Sequence, residues 1–212
     1  KPMVPATHLV EATSDMGAFV LFSGILKRLA VKLGKICNDL RLLSSGPRTG
    51  LAEIHLPPMQ PGSSIMPGKV NPVIPEAVNQ TAYQVIANDL AVTLAAEAGQ
   101  LQLNAMEPLI VYNLLNSMKM LCNASEMLEQ RCVRGIEANR EQCAQHLDNS
   151  IGVITALVPH IGYANASRIA KTALNSGSTV RELVIREGLL DSVQLDQLLS
   201  PQSMLAPGAQ LA

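Results

Sequence analysis

Seven large apolar residues, Phe22, Leu26, Leu29, Leu33, Ile36, Leu40 and Leu43, recur at alternating steps of four and three. That spacing keeps all seven on one side of an α-helix, with Lys27, Arg28, Lys32, Lys35 and Arg41 off it. The pattern predicts one helix over about 13–44. It ends before Gly46-Pro47, because the residue ahead of a proline is disfavoured in the helical region. A helix of this length with a single apolar seam must pack along other long helices. Gly24 and Gly34 lower its helix propensity, and the expected compensation is close approach of a neighbouring helix.

A second helix is predicted from near Pro75-Glu76, with Val78, Ala82, Val85 and Ile86 on one face. A third starts near Pro108, a residue suited to a first turn. Its face is Ile110, Leu114, Ser117, Leu121, Ala124 and Leu128. Between them lies "EAGQLQLN", with Gly99 as a breaker. Runs of period two are absent, so no sheet of any size is expected. Composition shifts near Gly135. Beyond it the predicted helices shorten to about 140–149, 163–176, 179–187 and 192–199, punctuated by Pro159, Gly162, Gly177 and Gly188. Ser192 is placed to cap the last of these, and the residues from Met204 onward are expected to fray. The fold class that follows is all-α. Residues 1–134 read as part of a central long-helix domain, with a polar loop at 60–72, and residues 135–212 as a small helical C-terminal domain.

Composition narrows the function classes. Sixteen basic residues face 17 acidic ones and the net charge is −1, which predicts neither a nucleic-acid partner nor an anionic-membrane partner. Aromatic residues make up 2% and tryptophan is absent, so stacking on bases or sugars is poorly supplied. Cys37, Cys122, Cys132 and Cys143 lack CxxC spacing and read as small buried apolar groups in a reducing compartment. No run of 18 apolar residues and no signal-peptide pattern occurs. A cytoplasmic protein is the expectation. The chain starts at Lys1 and enters its helical pattern almost at once, as a piece of a longer chain or a processed chain would.

The polar loop contains "GSSIMPGKVNP", residues 62–72. Two prolines, two glycines and two serines fall within it, together with Lys69 and Asn71. Two readings fit. In one, the serines and glycines only make solvated turns. In the other, the glycines let the backbone approach a ligand, while Ser63, Ser64, Lys69 and Asn71 supply donors and a positive charge for an anion with several oxygens, most simply a carboxylate. A phosphate loop fits poorly, since the Walker spacing and its preceding strand are missing.

The same stretch resembles the signature of the fumarase/aspartase superfamily, G-S-S-x-M-P-x-K-x-N-P. The similarity extends over essentially the whole chain. "KICNDLRLLSSGPRTGLAEIHLP" is similar to the helix and loop before that signature. "VIPEAVNQ" and "AAEAGQLQLNAMEP" are closer to the aspartate ammonia-lyase branch than to fumarases, while "GIEANRE" and "PHIGY" are shared with fumarases. The resemblance implies a homotetramer whose subunits pool long helices into a common core. It implies a carbon–nitrogen lyase acting on a small dicarboxylate, L-aspartate to fumarate and ammonia, with no cofactor and no metal. It implies that Ser63 is the catalytic base, removing the proton next to a carboxylate to give an aci-carboxylate intermediate. Ser64, Lys69, Asn71 and the backbone at Val70 take substrate-binding positions. Glu76 corresponds to an acid that orients an active-site histidine in fumarases; without the resemblance it reads as an acid favoured at a helix N-terminus.

Two further parts of the superfamily's site, a Thr-His pair and a Ser/Thr-Asn stretch, have no counterpart here. Thr7-His8 lies outside the expected context. His8, His55, His146 and His160 read as surface or loop residues. The chain is therefore expected to be the C-terminal half of such an enzyme, inactive by itself. The alternatives are a fumarate hydratase of the same superfamily and a helical assembly module whose loop is catalytically idle.

Overall fold

The structure, a computed structural model, describes residues 3–60 and 69–205. It divides into two compact units, residues 1–139 and 140–212.

Three long helices dominate the first unit: α2 (Gly17–Leu43), α3 (Val73–Glu97) and α4 (Glu107–Arg131), with a short α1 (Leu9–Ser14) ahead of them. The helix predicted over about 13–44 is thus α2, which starts a turn later, and the short α1 ahead of it was not predicted. Between the two the Asp15 carboxylate accepts the Gly17 amide at 3.0 Å, so the chain restarts as a new helix. Packing runs antiparallel through three buried layers. Met16 meets Val92, Ala95, Ile110 and Leu114; Ala30 meets Ala82, Val85 and Leu121; Cys37 meets Ile74, Val78, Ala124, Leu128 and Cys132. On α3 the buried valines 78, 85 and 92 are seven apart. On α4 the fully predicted face, Ile110, Leu114, Ser117, Leu121, Ala124 and Leu128, is buried.

The α2 seam behaves differently from its prediction. Its buried residues are the small ones, Ser23, Ala30, Gly34 and Cys37. Leu26, Leu33, Leu40 and Leu43 are half-buried beside them, whereas Phe22, Leu29 and Ile36 remain 40%, 44% and 41% exposed. The reason is steric: α2 and α3 approach closely enough that only small side chains fit the contact line. Gly34 shows this, since a Cβ there would lie 3.8 Å from Ala82 Cβ; Gly24 has no such neighbour. The large residues are displaced to the flanks, and one flank has no partner among the described residues.

Polar pairs interrupt the apolar layers. Buried Asp89 accepts from Ser23 Oγ at 2.8 Å and from Lys27 Nζ at 2.9 Å. Asn88 donates to Ser117 Oγ at 3.0 Å, and the Asn79 and Asn38 amides meet at 2.7 Å. Burying such groups costs little only when each has a partner.

Cys37 and Cys132 are buried, as expected, but Cys122 and Cys143 are exposed. Their positions on outward faces of helices are invisible to a reading of residue type alone. Burial first, and then the neighbouring Cys132 thiol, pushes the Cys37 pKa up from 9.0 to about 11, against a lowering by Arg41; burial also raises that of Cys132. A raised folded-state pKa means that stability is intact below pH 9 and declines between pH 9 and about 11. Native alkylation at pH 8 should therefore spare Cys37 and Cys132, with modification at least about a hundredfold faster after unfolding. Peptide mapping of the alkylated protein measures this; rapid native labelling at either site would contradict the packing described.

Among the described residues there is one small sheet, the pair β1 (Ile54–His55) and β2 (Glu137–Ala138), antiparallel with His55 opposite Glu137. Beside it the turn 44–52 is tightly held. Ala52 N–H donates to the Ser45 carbonyl at 2.8 Å, Glu53 N–H to Leu43 at 2.9 Å, and Asn139 Nδ2 to Ala52 at 3.0 Å. These bonds keep Ala52 at φ 50°, a region a non-glycine residue occupies only when its surroundings impose it. Gly50 has no room for a side chain, because a Cβ would stand 2.4 Å from the Ser45 backbone.

The second unit consists of α5 (Arg140–Asn149), α6 (Ile154–Ile161), α7 (Tyr163–Ser176), α8 (Val180–Arg186), α9 (Ser192–Leu198) and α10 (Pro201–Leu205). Leu157, Ile169, Leu183, Val184 and Leu195 form its core. α7 is framed by Gly162 at φ 76° and Gly177 at φ 70°. The helix α6 was not predicted, because Pro159 sits inside it. The cap of α9 is Asp191 rather than Ser192: its side chain accepts the Gln194 amide while Gln194 caps Asp191 in return. Met204 and Leu205 are helical instead of frayed, and residues 206–212 lie outside the described part.

Candidate active site

The described members of the expected site, Lys69, Val70, Asn71 and Glu76, fall near the turn 44–52, β1 and the start of α3. Ser63 and Ser64 lie outside the described residues. Lys69 and Val70, both exposed, line an open cleft of about 280 Å³ with Ser44, Gly46, Pro47, Ala52, Ile54, His55, Leu56 and Pro72. Asn71 turns instead toward a small hollow shared with Pro57, Met59, Arg131 and Cys132. Its carbonyl accepts the Val73 amide at 2.8 Å, which starts α3. Glu76, in the first turn of α3, borders a third, open hollow with Arg41, Asn79, Gln80 and Tyr83. The structure thus brings Lys69 and Val70 together and places Asn71 and Glu76 on other surfaces of the same region.

The cleft has a chemical bias. Its only ionisable side chains among the described lining residues are Lys69 and His55, both bases. Ser44 adds a hydroxyl and the 44–52 turn adds backbone. A multi-oxygen anion is the ligand such a lining suits. No group of three histidine, cysteine or acidic side chains among the described residues is placed to hold a metal ion. Among the described residues no helix is long and apolar enough to cross a membrane. His55 was not expected here. A two-residue strand leaves no alternation to reveal which neighbours it will meet.

Residues 1–87 match the family model described as "Lyase", and residues 153–206 match "Fumarase C C-terminus". The chain is 66% identical over 207 residues to an aspartate ammonia-lyase of Pseudomonas fluorescens, covering 98% of this chain and 43% of that protein. The chain belongs to the fumarase/aspartase superfamily. Within that superfamily its fold superposes on the structure described as fumarate lyase:delta crystallin from Brucella melitensis bound to cobalt, with a TM-score of 0.89 and 64% identity over 95% of this chain and 44% of that one. It also superposes on a class II fumarase from Schistosoma mansoni, with a TM-score of 0.87 and 37% identity over 96% of this chain and 43% of that one. The chain therefore spans under half the length of the superfamily members it matches.

Proposed function

We propose that this chain is the C-terminal part of an aspartate ammonia-lyase, converting L-aspartate to fumarate and ammonia. The observation that carries this reading is the 66% identity to an aspartate ammonia-lyase, against 37% to a class II fumarase. The cleft supports it with a pair of bases at a place where the signature loop rejoins the helical frame.

In this reading residues 1–134 belong to the central long-helix domain and 135–212 form the small C-terminal domain. Lys69 holds a substrate carboxylate, and Ser64, the Val70 backbone and Asn71, which borders the neighbouring hollow, are the further substrate-binding positions. Ser63 removes the proton from the carbon beside a carboxylate. The electron pair left behind enters that carboxylate as an aci-carboxylate, and its return expels the amine from the neighbouring carbon. A serine hydroxyl is a weak base in water, so its alkoxide needs nearby donors and exclusion of solvent. Glu76 acts at one remove, orienting another site group. Neither cofactor nor metal is required. The full-length protein is a cytoplasmic homotetramer, and residues outside this chain complete each site.

Fumarate hydratase uses the same carbon skeleton, with water in place of ammonia. Ultraviolet absorbance of fumarate formed by the full-length protein from L-aspartate or from L-malate separates the two. Turnover of malate without aspartate would reverse the assignment.

A further inference from the structure

We infer that His55 is a substrate-binding residue, a second donor to the carboxylate held at Lys69. The inference deepens the proposed function and rests on its placing of the anion in this cleft. Three observations carry it. His55 and Lys69 line the same cleft of about 280 Å³, and no acidic side chain is among the described residues lining it. His55 is exposed, so its ring is free to turn toward a ligand. Its place in the fold is fixed by the backbone, through the two-residue ladder with Glu137 and Ala138 and the hydrogen bonds of Ala52 and Glu53. The imidazole is therefore not needed to build the strand. Glu137, directly across the ladder, and Glu53, two residues back, are the nearby acids along the strand pair, and neither lines the cleft.

An imidazole N–H beside an ammonium gives two donors of different geometry to one carboxylate, which fixes its orientation better than a flexible lysine does alone. The residue then acts on affinity for dicarboxylates and leaves the chemical step to other groups.

The test is calorimetric titration of fumarate into the full-length protein, with no turnover involved. Four forms are compared: unsubstituted, Lys69→Gln, His55→Ala and His55→Lys. His55→Ala should weaken fumarate about tenfold, and His55→Lys, which keeps a cationic donor, should restore affinity to within about threefold. In the aspartate assay the same loss should fall on KM with kcat spared. If His55→Ala binds fumarate as well as the unsubstituted protein, the inference is overturned. It is equally overturned if alanine and lysine weaken binding alike, since that is the signature of a structural role. A neutral Lys69→Gln would instead remove Lys69 from the proposed site, an outcome read independently of the two His55 variants.

Discussion

Ser63→Ala in the full-length enzyme is expected to lower kcat by about a thousandfold with KM nearly unchanged. A hydroxyl that takes a proton during reaction matters to the transition state far more than to the bound substrate, so its loss falls on kcat. The magnitude is that of removing one well-placed group in a water-excluded site. Lys69→Ala should behave differently, raising KM as well, because the ground-state carboxylate already feels the ammonium. Steady-state rates of fumarate formation distinguish the two patterns. A Ser63→Ala enzyme with raised KM and intact kcat would make Ser63 a binding residue and send the search for the base elsewhere.

The second large effect concerns α2. Leu29→Lys combined with Ile36→Lys is expected to dissociate the oligomer and, with it, abolish activity. These two residues and Phe22 are spaced by seven along one flank of α2 and stay 40–44% exposed within the chain. Full burial of each such side chain is worth about 1.5–3 kcal/mol, and two lysines on that flank would have to be dehydrated to restore the contact. Only the exposed part of each side chain remains to be buried, yet repeated over the subunits the loss is comparable with the stability of an ordinary domain. Multi-angle light scattering reads the result directly. An unchanged oligomer would show that the flank is a free surface. By the same argument the 212-residue chain alone should associate and show no deamination; a stable monomer in scattering, or measurable deamination, would count against this.

What the sequence revealed depended on whether the deciding signal was local. The bounds of α7 are legible because glycines at 162 and 177 occupy left-handed conformations on either side of it. The cap of α9 was misplaced at Ser192, although the signal was local: Asp191 has Gln194 three residues on and forms the reciprocal pair, whereas Ser192 has Leu195 there and cannot. Periodicity correctly chose the buried face of α4. On α2 it identified which residues share a side but not which of them find a partner, because that depends on how closely α3 approaches. The expectation of an anion at Ser63, Ser64, Lys69 and Asn71 rests on residue type, and the superfamily was legible in the signature around them. His55 came into the cleft only through the pairing of β1 with a strand some 80 residues away, a contact with no local trace.

The buried polar pairs of the first unit have a consequence for uniqueness. Valines at 78, 85 and 92 and leucines at 114, 121 and 128 are repeats of an identical unit, so sliding one helix by seven residues, about 10 Å, would bring valine onto the place of valine. Apolar contact alone barely distinguishes these registers. Asp89 and Asn88 do. In the observed alignment they meet Ser23 with Lys27 and Ser117. Displaced by one repeat, Asp89 would face Ala30 or Met16, and Asn88 would face Ala124 or Ile110, each leaving a buried polar group without a partner. The pairs work as a vernier on a periodic scale: they add little to the strength of the bundle and select one of several nearly equivalent alignments. In that alignment the start of α3, and with it Lys69, stands against the turn after α2.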